Sequence, residues 1–287
     1  MSSVLYDHPG PRARRRILVG SVVAAIGVAA LVVLAAGRLA DQGQFAADRW
    51  APLFYPGDPR FPLVWARIGE GFRATVVAAA LAMAFSLVLG MLLAAGRIML
   101  GKAARIPLVA AIELFRGLPV VISIFFAYKV LPELGLELNA LGYLVIGLTA
   151  YNSVIIAETL RAGVASLPRG QHEAALALGM SEFQSLRYVR FPQAIRIMLP
   201  ALVSQLVVIL KDTSLVVFIG GYVELLRTGG LLVQNLGNPI QVYILIGAIY
   251  VAVNYALGRF ATYVERRLSR AATVARAPRQ VATLASV

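Results

Sequence analysis

The chain contains no cysteine and only two histidines in 287 residues. The absence of cysteine excludes disulfides, thiolate catalysis and cysteine-ligated metals within the chain. His8 and His172 are too few and too far apart to build a histidine metal site. We therefore expect no metal site, no resident cofactor and no thiol chemistry in this protein.

Charge is also scarce, because only 14% of the residues are charged while 59% are hydrophobic and the mean hydropathy is +0.77. Long apolar runs of this kind are typical of a polytopic membrane protein rather than a soluble domain. Six windows are long enough to cross a bilayer as helices. They cover residues 17–36, 74–96, 106–131, 138–163, 197–223 and 240–258.

The net charge of +13 is distributed unevenly between the two sides of these spans. With the N-terminus in the cytoplasm, the inner segments carry 18 Lys and Arg residues against 4 Asp and Glu, and the outer segments carry 7 of each. That asymmetry follows the positive-inside rule. It predicts that both termini are cytoplasmic, and it explains the charge without nucleic acid.

The spans divide the chain into five predicted regions. The apolar run after the basic tail is 20 residues long, which exceeds a usual signal-peptide core, so we expect a retained helix. The outer loop is rich in proline and aromatic residues, which suits either the headgroup level or a small packed loop. The regions are a basic cytoplasmic tail (1–16), an N-terminal transmembrane helix (17–37), an outer loop (38–69), a transmembrane domain (70–268) and a disordered cytoplasmic tail (269–287).

The polar segment 171–192, QHEAALALGMSEFQSLRYVRFP, interrupts the apolar pattern. Its alanines and leucines favour a short helix, and Gly179 suits the end of that helix, where φ becomes positive. Ser181 and Gln184 have capping-box spacing, which predicts the start of a second helix. Pro192 is predicted to end that helix. On physical grounds alone, the two helices suit a docking knob and a membrane-surface amphipathic pair equally well.

The segment resembles the EAA loop of ABC importer permeases. Glu173, Ala174 and Ala175 are followed four residues later by Gly179, and Pro192 ends the motif. Val189 and Phe191 stand where isoleucine and leucine are commoner. Further stretches resemble permeases for polar amino acids, and the likeness covers about residues 70–268. These stretches are 113–119, 157–163, 170–171, 211–215 and 224–225.

The resemblance implies an all-α type I permease core of five helices, preceded here by one additional N-terminal helix. It implies a multi-pass protein of a prokaryotic plasma membrane, working with a second permease subunit, two ATP-binding subunits and an extracytoplasmic binding protein. ATP and Mg²⁺ would bind the ATPase subunits, which dock on the EAA loop, and not this chain. The implied cargo is a polar amino acid, with glutamate or glutamine preferred and a basic amino acid or opine-like compound left open.

Of the ionisable residues inside the predicted spans, five matter for the bundle interior or a transport path, namely Glu113, Arg116, Glu158, Lys211 and Asp212. Such residues are costly in lipid and are expected to face the bundle interior or an aqueous path. Glu113 and Arg116, at i and i+3, are able to pair with each other, which indicates a structural role for them and for Glu158.

Two residues near the predicted centre of the third span are unusual for a transmembrane helix. Gly117 and Pro119 favour a bend or a break in that helix.

The fifth span has a polar face. At 100° per residue, five polar side chains fall within an arc of about 180°, which makes them candidates for the substrate path. They are Ser204, Gln205, Lys211, Asp212 and Ser214. Lys211 would attract a substrate carboxylate and Asp212 an amino group. The alternative is that these two charges pair with Glu113, Arg116 or Glu158 and only stabilise the bundle.

Two motif fragments in the chain imitate catalytic sites. Residues 96–102 imitate a P-loop, but Ala103 replaces the Mg²⁺-binding hydroxyl and an apolar span precedes the fragment. His172 and Glu173 begin an HExxH pattern that Leu176 does not complete. We therefore expect a transport subunit without its own ATPase site. The alternatives are an ion-coupled secondary transporter of small polar solutes, which would predict inverted repeats, and a membrane scaffold or enzyme.

Overall fold

The computed structural model describes residues 10–275, and every regular element in that range is a helix. The predicted tails at 1–16 and 269–287 lie partly outside the described residues. The elements are α1 (Pro11–Asp41), α2 (Ala47–Phe54), α3 (Phe61–Met99), α4 (Lys102–Gly117), α5 (Val120–Glu133), α6 (Ala140–Ala165), α7 (Arg169–Ala177), α8 (Glu182–Gln184), a π-helix (Ser185–Arg190), α9 (Phe191–Asp212), a 3₁₀-helix (Thr213–Phe218), α10 (Leu225–Leu236) and α11 (Pro239–Ala275).

The chain divides into two compact units, Met1–Pro62 and Leu63–Val287. In the first unit, α1 is apolar enough to span a membrane, and none of its residues is buried. An apolar helix with no buried residue suits direct contact with lipid. The predicted outer loop contains the short helix α2. Trp50 of this helix donates its Nε1–H to the Gln44 carbonyl at 3.0 Å.

Five of the described helical segments are long and apolar enough to cross a membrane, and a sixth span is formed when the bent pair α4 and α5 is counted as one. This count confirms the predicted all-α membrane class. The continuous third span predicted at 106–131 is instead two helices that meet at an angle of 108°. Leu118 takes an extended conformation, with ψ of 141°, because the ring of Pro119 disfavours the helical region for the preceding residue.

The helix that contains most of the predicted fifth span (197–223) begins before it and ends before Val223. The helical segment begins at Glu182, inside the loop, and runs without interruption through Pro192 to Asp212, where it tightens into a 3₁₀-helix up to Phe218. Pro192 therefore does not end the second loop helix. It occupies the first turn of α9, directly after the π-helical turn, where its missing N–H is tolerated.

The core of the second unit lies where α3, α5, α6 and α9 meet. Small residues of α3 allow this close packing, and branched residues of the other helices fill the space between. The buried cluster consists of Ala78, Ala79, Ala82, Ile124, Leu144, Leu148, Ile209, Leu210, Val216 and Ile219.

Glu224 is a fully buried carboxylate at the beginning of α10. Its oxygens accept hydrogen bonds from the backbone N–H groups of Leu226 and Arg227, both at 2.7 Å, and from the Tyr250 hydroxyl at 2.8 Å. The N–H of Leu225 donates to Thr75 of α3 at 3.0 Å. The carboxylate thus caps α10 and ties it to α11, while Leu225 ties the same turn to α3.

Gly147 of α6 packs directly against the backbone of α5. A Cβ atom placed there would lie 2.4 Å from the Ile124 Cα and 2.8 Å from its backbone nitrogen, which no side-chain rotation relieves. Gly247 of α11 provides a matched comparison, because a Cβ there would have no neighbouring atom within 4 Å.

We predict that Gly147→Ala destabilises the protein by about 2 kcal/mol, because the added methyl group forces α5 away from α6. Gly247→Ala should leave stability unchanged or slightly higher, since alanine favours helix over glycine. Thermal unfolding of the purified protein in detergent, followed by the loss of the monodisperse species, measures both. Equal melting temperatures for the two variants would contradict this packing role.

Candidate functional site

The segment that resembles the EAA loop folds as α7, a glycine turn and the helical segment that begins at α8. Leu178 ends α7, and the N–H groups of Gly179 and Met180 donate to the carbonyls of Leu176 at 2.9 Å and Ala175 at 3.2 Å. This pattern is a Schellman motif, and Gly179 has the positive φ, +79°, that the motif requires. The helix-ending turn predicted from the sequence is confirmed.

The second helix starts as the sequence predicts. The Ser181 side chain accepts from the Gln184 N–H at 3.2 Å, and the Gln184 side chain accepts from the Ser181 N–H at 2.8 Å. The capping box is therefore confirmed. It satisfies two backbone donors at the beginning of the segment that continues into α9.

Side-chain contacts hold α7 against this second helix. His172 Nδ1 lies 3.2 Å from Ser185 Oγ, and His172 Nε2 lies 3.2 Å from Glu182 Oε1. Arg190, which is 9% exposed, donates to Glu182 Oε2 at 3.1 Å. Sequence reasoning assigned no role to His172, Glu182 or Arg190, because the contact between α7 and the π-helical turn has no local spacing signal.

The predicted docking residues divide between the two faces of the loop. Ala175 is buried, whereas Glu173, Ala174, Gly179 and Pro192 are exposed. The outer face also carries apolar side chains that sequence reasoning did not select, and the most exposed is Leu178 at 81%. The others are Leu176, Phe183 and Tyr188. A mixed apolar and acidic surface on a fixed knob is suited to contact with another protein.

An ion cluster at the base of the loop joins α3, α4 and α6. Arg97 at the end of α3 pairs with Glu158 of α6 and lies 3.7 Å from Glu113 of α4. Arg161 contacts Glu158 at 3.1 Å, and Arg116 lies 3.7 Å from Glu113. The residues predicted to be structural therefore meet one another through Arg97 and Arg161, which the sequence placed in cytoplasmic segments.

The sequence left open whether Lys211 and Asp212 pair with Glu113, Arg116 or Glu158. Over residues 10–275, these three instead form ion pairs with each other or with Arg97 and Arg161.

The five polar residues predicted to share one face of the fifth span differ in their exposure and do not all lie on α9. Ser204 and Lys211 are exposed, while Gln205 and Asp212 are half-buried. Ser214 lies beyond the end of α9, in the 3₁₀-helix, so the rotation of 100° per residue does not place it with the others.

Two of these residues bond within their own helical segment, and a third reaches across to α6. The Ser204 hydroxyl donates to the Pro200 carbonyl at 3.0 Å, and the Ser214 hydroxyl donates to the Lys211 carbonyl at 2.7 Å. Gln205 donates to the side-chain oxygen of Asn152 at 2.6 Å. Asn152 is fully buried and was missed by the sequence analysis, because it stands alone in an apolar helix.

These features define the class of protein. It is a helical bundle of apolar spans that carries intramembrane polar groups and presents a fixed helix–turn–helix loop at one end. Residues 86–270 match the family model described as "Binding-protein-dependent transport system inner membrane component". The chain belongs to this family, which confirms the resemblance to ABC importer permeases. Proteins of this family are multi-pass inner-membrane subunits that work with an ATPase and a binding protein.

Individual relatives agree with the family match. The glutamate transport system permease protein GluD of Corynebacterium glutamicum is 36% identical over 250 residues, covering 84% of this chain and 89% of the relative. A probable glutamine ABC transporter permease protein, GlnM of Bacillus subtilis, is 32% identical over 201 residues, covering 70% and 93%.

Solved structures agree with the predicted permease fold. A chain from the crystal structure of an amino acid ABC transporter with histidines aligns with a TM-score of 0.64 at 30% identity, covering 70% of this chain and 94% of that one. A chain of the inward-facing MetNI methionine ABC transporter has a TM-score of 0.61 at 20% identity, over 72% and 98%.

We predict that Glu158→Gln lowers stability by about 1–2 kcal/mol, because it leaves Arg97 and Arg161 without their common carboxylate. The Glu158 side chain is only 20% exposed. Glu70, which pairs with Arg67 at 3.2 Å and is 64% exposed, provides a matched control. Glu70→Gln should change stability little, since exposed pairs contribute little. Chemical-denaturant or thermal unfolding in detergent compares the two variants. An equal loss of stability would contradict the proposed contribution of the ion cluster to stability.

Proposed function

We propose that this chain is the permease subunit of an ATP-driven importer that carries a polar amino acid across the plasma membrane. The observation that carries the proposal is the α7–Gly179–α8 loop, whose two helical segments are linked by Glu182 contacts to His172 and Arg190 and whose exposed surface includes Glu173 and Leu178. This arrangement supports docking of a separate ATPase subunit on the outer face.

The topology and assembly follow from the same proposal. The charge asymmetry supports placing the loop and both termini in the cytoplasm. A second permease copy or paralogue would complete the membrane path, and an extracytoplasmic binding protein would deliver the substrate. Residues 96–102 would not bind ATP, because they join helix α3 to helix α4, whereas a P-loop follows a strand. ATP and Mg²⁺ then belong to the ATPase subunits alone.

The substrate is a polar amino acid, and glutamate or glutamine is our preferred cargo. The names of the relatives, which include a glutamate permease and a probable glutamine permease, support this class. Lys211 would then attract the substrate carboxylate and Asp212 its amino group. The exposure of the Lys211 side chain, which has no ion pair within residues 10–275, supports that assignment.

We predict that Glu173→Lys abolishes co-purification of an ATPase subunit from membranes, because it reverses the charge of an exposed residue of the proposed docking face. Glu137→Lys makes the same change at an exposed position of the α5–α6 connection and should retain the ATPase. Retention of the ATPase by the Glu173 variant, or its absence from the unsubstituted protein, would contradict the docking assignment.

A glycine pair tests the same loop by geometry rather than charge. Gly179 and Gly135 have nearly equal positive φ values, +79° and +81°, and a Cβ would meet no atom within 4 Å at either position. Alanine therefore costs both turns about 1 kcal/mol of backbone strain. We expect Gly179→Ala to weaken ATPase retention and Gly135→Ala to leave it unchanged. If both variants lost the ATPase equally, the cause would be general instability and the docking role of the Gly179 turn would be contradicted.

We predict that Lys211→Gln raises the KM for glutamate or glutamine about tenfold, because a charge-assisted contact to the substrate carboxylate is lost. Lys129, which lies over the Tyr128 ring at 5.4 Å, provides the control, and Lys129→Gln should leave the KM unchanged. The measurement is uptake of radiolabelled amino acid by the reconstituted importer. An unchanged KM for the Lys211 variant would remove this residue from the substrate path.

A further inference from the structure

A cavity of about 1150 Å³ lies at the loop end of the second unit, between the end of α3, the beginning of α4, the end of α6 and the first turn of α7. It is separate from the polar face of α9. Its wall is strongly basic, because six of the lining side chains are lysine or arginine. These are Arg97, Lys102, Arg105, Arg161, Arg169 and Arg190.

Three of these six cations have a carboxylate partner. Arg97 and Arg161 share Glu158, and Arg190 is bound to Glu182.

The other three are exposed side chains without an ion pair in the described part of the chain. They are Lys102, Arg105 and Arg169. Glu173 is the one acidic residue in the wall, and it also has no ion pair within residues 10–275. The wall therefore keeps a positive excess after every observed pairing, and an anion would reduce the repulsion among its cations.

The same cavity has an apolar part. Ile98, Ile106 and Val109 line it from the α3–α4 side, and Val164 and Leu167 line it from the end of α6. Ile106 is 69% exposed. An apolar wall beside unpaired cations fits a ligand that carries both an anionic group and a hydrocarbon chain.

We propose that this cavity binds an anionic phospholipid of the leaflet facing the docking loop. The phosphate would lie against Lys102, Arg105 and Arg169, and the first part of an acyl chain would cover Ile106 and Val109. A basic pocket between helices at the cytoplasmic surface is the setting in which anionic headgroups bind. A free amino acid fits less well, because it offers one carboxylate and no hydrocarbon chain for the apolar wall.

The position of the site gives the lipid a mechanical role. The cavity touches the ion cluster through Arg97 and Arg161 and touches α7 through Arg169 and Glu173. A bound headgroup would therefore brace the base of the docking loop against α3 and α4. The proposal rests on the cytoplasmic orientation of the loop and is independent of which substrate is transported.

The test is a titration of the purified full-length protein with phosphatidylglycerol, read out by native mass spectrometry in detergent. The triple variant Lys102→Ala, Arg105→Ala, Arg169→Ala should weaken phosphatidylglycerol binding at least about tenfold, since each basic residue adds to the attraction. The control Arg196→Ala, Arg259→Ala, Arg266→Ala removes the same charge from exposed positions outside the cavity wall and should change binding less than about twofold.

Charge-conserving exchange guards against simple misfolding. Lys102→Arg, Arg105→Lys, Arg169→Lys should bind phosphatidylglycerol as the unsubstituted protein does, because the cations remain. Phosphatidylcholine should bind weakly to all forms, because its headgroup has no net charge. Equal loss of phosphatidylglycerol from the cavity and control variants would overturn the proposal.

Two other occupants give distinct results. Full displacement of the lipid by millimolar inorganic phosphate would identify a site for small soluble anions and overturn the lipid assignment. Loss of ATPase co-purification in the alanine variant, with phosphatidylglycerol binding unchanged, would identify the cavity as part of the protein docking surface. Neither result depends on the Glu173 experiment, so failure of this proposal is distinguishable from failure of the docking assignment.

Discussion

The carboxylate of Glu158 is the contact on which the loop end of the bundle depends. It pairs with Arg97 of α3 and Arg161 of its own helix, and Arg97 in turn approaches Glu113 of α4. Removing a carboxylate from water carries a large desolvation free energy. Such charges are therefore found inside a membrane protein when oppositely charged partners are held close to them. The cluster therefore sets the separation of three helices at the level where α7 leaves the bundle.

The π-helical turn determines how the loop is connected to the membrane path. A helix that ended at Pro192 would have left the loop as a separate element on a hinge. Instead, the wider turn at Ser185–Arg190 accommodates the proline, and the segment from Glu182 to Asp212 is continuously helical. α9 alone is 22 residues, about 33 Å, and although it contains Pro200 it connects the loop to Lys211 as one helical segment. This geometry suits coupling between a docked ATPase and the proposed substrate path.

Local patterns in the sequence predicted local structure well. The apolar windows located the membrane-spanning regions but not all of their helix ends, the glycine pattern predicted the turn at Gly179, and the Ser181–Gln184 spacing predicted the capping box. The contacts that shape the site were not predictable in this way. Arg97 and Glu158 are 61 residues apart, and Gln205 and Asn152 are 53 apart, so no helical period connects them. Gly117 and Pro119 predicted that the helix bends or breaks here. The angle of 108° was not predictable, because it depends on how α5 packs against the rest of the bundle.

Burial and backbone conformation restrict the residue types that fit at two positions of the loop. Ala175 must be small because it is buried against the second helix, and Gly179 must reach a φ of +79° for the chain to turn back. Glu182 is occupied internally by His172 and Arg190, which leaves Glu173 as the carboxylate free of ion pairs in the described loop. Both acids are exposed, but Glu182 is held by partners within the loop, whereas Glu173 is available to a partner protein beside exposed Leu178. In the proposed docking, a partner surface would recognise shape and charge together without first having to order the loop, which would lower the entropic cost of association.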